Sequence, residues 1–207
     1  MASRAPTKTD SFTVFEKNIE RARAFLRIFG KGSEGRKQGR PSSDETELLR
    51  GSLVFAVGAL DAYLSDLILE IVPKYAPKNE KVQDAMASIA KSDPGIVLRV
   101  ALAKDDESRI REFRNALEIW LESKSFHGPR KVVEALSYVG CVVKWEDFDK
   151  ETGSKTSTAL ENATKERHGI VHRGAQPDVK QKNVSDAVTL IENIAKVVDQ
   201  AVVKRYA

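Results

Sequence analysis

A chain of 207 residues, 41% hydrophobic and 31% charged, is long enough to bury its own core and too evenly composed for a fibrous or low-complexity polypeptide. Its single cysteine, Cys141, excludes a disulfide framework and a thiolate metal cluster, and points to a reducing, cytoplasmic setting. A net charge of +4, from 34 cations against 30 anions, tilts only weakly toward polyanionic partners.

The first ten residues, MASRAPTKTD, have no apolar segment of the secretory kind and read as a flexible leader. Residues 11–207 read as a single helical domain. SFTVFEKNIERARAFLRIFG has helical periodicity, with Asp10 or Ser11 as N-cap and Gly30 as stop. Residues 30–46, rich in Gly, Ser and cations (Lys31, Arg36, Lys37, Arg40), read as a mobile basic loop. The strongest segment follows, from about Leu48 to Val72. Leu53, Val57, Leu60, Leu64, Leu67 and Ile71 form a broad apolar stripe there, and Pro73 marks the end. No uninterrupted apolar run approaches the roughly 18 residues of a membrane span.

Shorter helices are predicted over EKVQDAMASIAKS and GIVLRVALA, separated by Asp93-Pro94-Gly95. DESRIREFRNALEIWLESK is amphipathic, with Ile110, Phe113, Leu117 and Trp120 on one face. PRKVVEALSYVG starts with Pro129 near N1. CVVKWEDFD is either a short strand or an extended connector. Trp120 and Trp145 read as core or interface anchors, Cys141 as a buried small hydrophobe and His127 as a surface loop residue. A long closing helix points Ala187, Ile191, Ile194, Val198 and Ala201 inward. The whole predicts an all-α bundle of long core helices with shorter ones crossing an end.

The penultimate helix, Thr156 to Arg173, ends in KERHGIVHRGAQPD. At about 100° per residue, Leu160, Ala163, Ile170 and Val171 share an apolar arc, and Arg167 falls inside it. A guanidinium cannot shed its proton, so placing one there requires a carboxylate, a phosphate or an adjacent cavity. His168 and His172 meet as an i,i+4 pair on the flank of that arc. Gly169 suggests a close backbone approach, and Gly174 followed by Pro177 supplies the stop. The helix dipole favours a protonated His172 in the last turn. Asp61 lies at the edge of the apolar stripe of the long helix, alongside Arg50, Gly58 and Ser65. It is the expected carboxylate partner of Arg167.

RHGIVH resembles the Arg-x4-6-His motif of HEPN domains (higher eukaryotes and prokaryotes nucleotide-binding), and LVFAVGALDAYLSDLI resembles that family's helix bearing an acidic residue. The RiboL-PSP-HEPN branch is the most similar, with RHGIVHRG where many members read Arg-Asn-x-x-x-His, so His168 replaces the usual Asn or Asp. The resemblance implies a HEPN-like homodimer with the motif helices facing each other. It also implies metal-independent endoribonuclease activity with no cofactor, in bacterial defence, toxin action or stress response, with any antitoxin a separate chain. On that expectation Arg167 and His172 are catalytic, and His168 and Asp61 support them. Lys165, Arg173 and Arg50 are weaker contacts to RNA, and no membrane is involved. Arg167 is suited to clamping the scissile phosphate, and His172 to general acid–base work near neutrality.

Three other readings of the same residues stay open. Arg167 and Asp61 would also suit a structural ion pair. His168 and His172 have the spacing of two zinc ligands, although Glu166 does not lie between them as an H-E-x-x-H motif requires. The same fold would also serve as a non-catalytic module for dimerisation and for binding RNA or nucleotides.

Overall fold

The long apolar stripe folds into α2 (Ser43–Tyr75), around which the other helices assemble. Its start is fixed by a capping box. Ser42 Oγ accepts from the Glu45 N–H at 3.2 Å, and the Glu45 carboxylate accepts from the Ser42 N–H at 2.7 Å. Pro73 does not end it, contrary to the sequence expectation. Proline removes the N–H that would reach the carbonyl of Leu69, and Arg114 Nη1 supplies a donor to that carbonyl at 3.0 Å instead. The helix therefore runs on to Tyr75, and Ala76, at φ 42°, caps it.

The computed structural model describes residues 7–33, 41–153 and 155–206. The remaining helices are α1 (Asp10–Ser33), α3 (Glu80–Ser92), α4 (Gly95–Ala101), α5 (Asp106–Leu121), α6 (Pro129–Tyr138), α7 (Trp145–Thr152), α8 (Thr156–Arg173) and α9 (Gln181–Tyr206). Among the described residues there is no strand. CVVKWEDFD resolves into a connector and α7, whose Trp145 tilts against Phe148 with ring centroids 4.8 Å apart.

α1 lies along α2 at close range. Gly51 leaves room for Phe25, and Ser52 donates its hydroxyl to the Ala22 carbonyl at 2.8 Å. α1 also runs past its expected stop at Gly30 to Ser33, which shortens the predicted loop; Arg36, Lys37 and Arg40 lie outside the described residues. Its N-cap is Thr9, not Asp10 or Ser11: the Thr9 hydroxyl accepts from Phe12 N–H at 3.0 Å. Carboxylates from two other helices hold the same end. Thr9 donates its N–H and hydroxyl to Asp199, Asp10 donates its N–H to Glu70, and Ser11 donates its N–H and hydroxyl to Glu70. Residues 9 and 10 thus belong to the fold and not to a leader.

The core is continuous, from Phe15 and Ile19 of α1 through the α2 stripe to Ile191, Ile194 and Val198 of α9. Each fully buried Leu or Ile contributes about 1.5–3 kcal/mol of hydrophobic stabilisation. By length and composition α2 is apolar enough to cross a bilayer, although charged and polar residues interrupt its sequence. Most of that stretch is buried against α1, α5, α8 and α9. α3, α4 and α5 pack across one end, where Trp120 Nε1 donates to Ser88 Oγ at 3.2 Å and the indole meets Tyr138 edge-on.

Candidate active site

α8 packs on α2 and α9 through Leu160 and Ala163, both buried, and ends at Gly174, whose φ of 59° suits the residue without a Cβ. The Ala175 N–H closes back on the Gly169 carbonyl at 3.1 Å. What comes near Gly169 is the Ala175 side chain, at an ordinary 3.6 Å, and not another backbone as the sequence suggested. Val171 also departs from expectation. It sits at the solvent-facing end of the predicted arc and is 45% exposed.

Arg167 lines a groove of about 330 Å³ between α8, α1 and α2, walled by Asn18, Arg21, Phe55 and Gly58. Arg21 stacks over Phe55, 4.5 Å from the ring centroid. Arg167 Nη1 lies 3.4 Å from His172 Nε2, while its Nε is buried with no hydrogen-bond partner. Among the described residues, no carboxylate lines this groove. The expected pair with Asp61 does not form. Asp61 instead accepts from Phe126 N–H through one oxygen and faces His127 Nδ1 with the other, at 3.5 Å. It sits on the side of α2 that meets the α5–α6 connection and is occupied there.

Arg50 is likewise not a surface contact. It is buried, donating from Nε and Nη2 to the Pro177 carbonyl at 3.2 and 2.9 Å and from Nη1 to Glu47. Its role is to tie the turn after α8 down onto α2. Lys165 is exposed and pairs with Glu161 at 2.8 Å, and Arg173 is exposed in the last turn.

His168 and His172 are both exposed, with ring centroids 4.7 Å apart. His168 opens on a second groove of about 340 Å³, shared with Thr164, Lys165, Gly169, Arg173 and His127. His127 is a loop residue, as the sequence suggested, and the fold brings it to the same groove as His168. Loss of hydration, then the positive neighbours His172, Arg173, Arg167 and His127, hold the His168 imidazole below its ordinary value. Among the described residues, no three His, Cys, Asp or Glu side chains are grouped to hold a metal ion.

The family model described as RiboL-PSP-HEPN matches residues 16–204, almost the whole chain and including every helix that builds this site. The chain belongs to the RiboL-PSP-HEPN family. Comparison with curated proteins and with solved structures gave no match. Within this RiboL-PSP-HEPN domain, Arg167 and His172 are the pair that the motif pattern singles out, and the fold brings them together at the solvent-facing end of α8. Asn18, Arg21 and His127 are the site-lining residues that sequence reasoning missed. Nothing local to them signals the grooves they line.

Proposed function

We propose that this RiboL-PSP-HEPN protein is a metal-independent endoribonuclease. The observation that carries the reading is the state of Arg167. Its guanidinium has a buried, unpartnered Nε, faces a groove with no carboxylate among the described residues, and stands beside an exposed imidazole. A permanently charged group left in that state is a receptor for an anion, and a phosphodiester supplies one. Arg167 would hold the scissile phosphate and the charge that develops on it, while His172 would move a proton at the ribose or at the leaving oxygen. A ribose 2′-hydroxyl as nucleophile makes RNA the substrate. Lys165 and Arg173 extend the positive surface at the helix end.

We also propose that two copies pair through the ends of α8. The exposed Val171, one residue before His172, gives that surface an apolar contact point, and a two-fold axis there would set two Arg167–His172 pairs on one cleft. A role in bacterial defence or as a toxin restrained by a separate chain, acting in the cytoplasm, follows by family analogy.

The test is incubation of purified protein with mixed RNA in EDTA, with Arg167→Ala and His172→Ala alongside. Cleavage by the wild type that both substitutions abolish supports the enzyme. RNA binding without cleavage identifies a binding module, and cleavage only when chelator is omitted points to a metal.

A further inference from the structure

The chain has three histidines, and the fold gathers all three at one end of α8. His168 shares a groove with His127, its ring tilts against that of His172, and His172 lies beside Arg167. His127 comes from the short connection between α5 and α6, which is held from several directions. Phe126, immediately before it, is fully buried, meets Tyr138 edge-on at 6.3 Å, and donates its N–H to Asp61. The His127 carbonyl is 2.8 Å from the Thr164 hydroxyl of α8. The ring itself has Nδ1 at 2.8 Å from Ser125 Oγ and 3.5 Å from Asp61 Oδ2. Asp61 thus holds the backbone before the ring and, with Ser125, faces its Nδ1 edge. The tautomer that donates Nδ1–H to the Ser125 hydroxyl, with the Asp61 carboxylate behind it, leaves the lone pair on Nε2. The charged groups facing that ring are Asp61 from α2 and Lys165, His168 and Arg173 from α8.

Resting on the endoribonuclease reading above, we infer that His127 is a second proton-transfer residue of the site, acting as general base, with Asp61 as its positioning residue. Nε2 of His127 takes the proton of a ribose 2′-hydroxyl. O2′ then forms a bond to the adjacent phosphorus, the P–O5′ bond breaks, and the His172 imidazolium gives its proton to O5′. The products are a 2′,3′-cyclic phosphate and a 5′-hydroxyl end, and no water, metal or oxidant enters the balance.

The test is multiple-turnover RNA cleavage in EDTA from about pH 5 to pH 9, with RNA concentration varied so that kcat and KM separate. His127→Asn is expected to lower kcat by about 100-fold or more. KM should stay within about threefold, and the acid limb of the pH profile should flatten while the alkaline limb persists. His127→Gln, whose amide still donates a hydrogen bond but does not titrate, should lose as much, which guards against a folding defect in either variant. Asp61→Asn keeps an oxygen for the Phe126 N–H and should lose roughly tenfold or more, with the acid limb displaced. Variants that cleave within about threefold of wild type, or that slow without changing the profile, overturn the assignment of His127 alone. A wild type that leaves RNA intact overturns this assignment together with the endoribonuclease reading.

Discussion

Replacing Arg50 separates a structural arginine from an RNA contact, and the two outcomes differ in kind. Arg50→Met keeps the aliphatic stem in its buried slot and removes two N–H donors to the Pro177 carbonyl and one to Glu47. Hydrogen bonds from a charged donor contribute about 1.5–3 kcal/mol each, but these two share a single acceptor, so together they count roughly as one. Glu47 is half exposed, which limits its ion pair to at most about 1 kcal/mol. Pro177 is only partly buried, so water recovers some of the loss at its carbonyl. The sum is about 2 kcal/mol. For a chain of this size that lowers the melting temperature by about 4–8 °C, measurable by circular dichroism. RNA affinity is measured in parallel at graded salt. A lost phosphate contact would reduce the slope of log affinity against log salt by about one; loss of Arg50 should leave it unchanged. An unaltered melting temperature with weakened, less salt-dependent binding would refute the structural role.

Other expectations follow from particular contacts. Arg114→Met should destabilise by about 1–3 kcal/mol, because the Leu69 carbonyl freed by Pro73 loses its donor; a melting curve identical to wild type would show that water serves equally well. Burial, aided by the charges of Glu70 and Glu16 and opposed by hydrogen bonds from Thr9, raises the Asp199 carboxyl above the usual carboxylate range. Its contribution is complete below its unfolded pKa and is lost as pH rises through the raised value. Asp199→Asn keeps an acceptor for Thr9, so its melting temperature relative to wild type should improve from about pH 4 toward neutrality; a difference that stays flat with pH contradicts the buried-charge account. Arg21→Gln should weaken RNA binding and reduce the salt slope by about one, because Arg21 lines the Arg167 groove over the Phe55 ring. Unchanged binding across salt would remove α1 from the RNA path.

The helical architecture was readable because burial imposes its period on the sequence. The stripe from Leu53 to Ile71 is buried along its whole length, and Gly174 with Pro177 ended α8 at the expected residue. Stop signals misled where a distant group compensated for them, as when Arg114 supplied the donor that Pro73 lacks. The motif pair was legible because Arg167 and His172 lie five residues apart in one helical segment, within reach of the long arginine side chain. Partnerships between helices were not legible. Asp61 stood at the right edge of α2 to reach α8, yet its oxygens are taken by Phe126 and His127, from a connection whose path no local pattern encodes. For the same reason the tie of Arg50 to the Pro177 carbonyl and the place of His127 beside His168 were not legible.

The central claim, that the Arg167 guanidinium and the His172 imidazole act together on one phosphodiester, is tested most directly by a double-mutant cycle. The measurement is the single-turnover rate of RNA cleavage in EDTA for wild type, Arg167→Ala, His172→Ala and the double variant. Each single substitution is expected to cost about 100-fold or more, and the double should be no slower than the slower single, as groups that work as a unit behave. A wild type that leaves RNA uncut, or losses that multiply in the double variant, would contradict it.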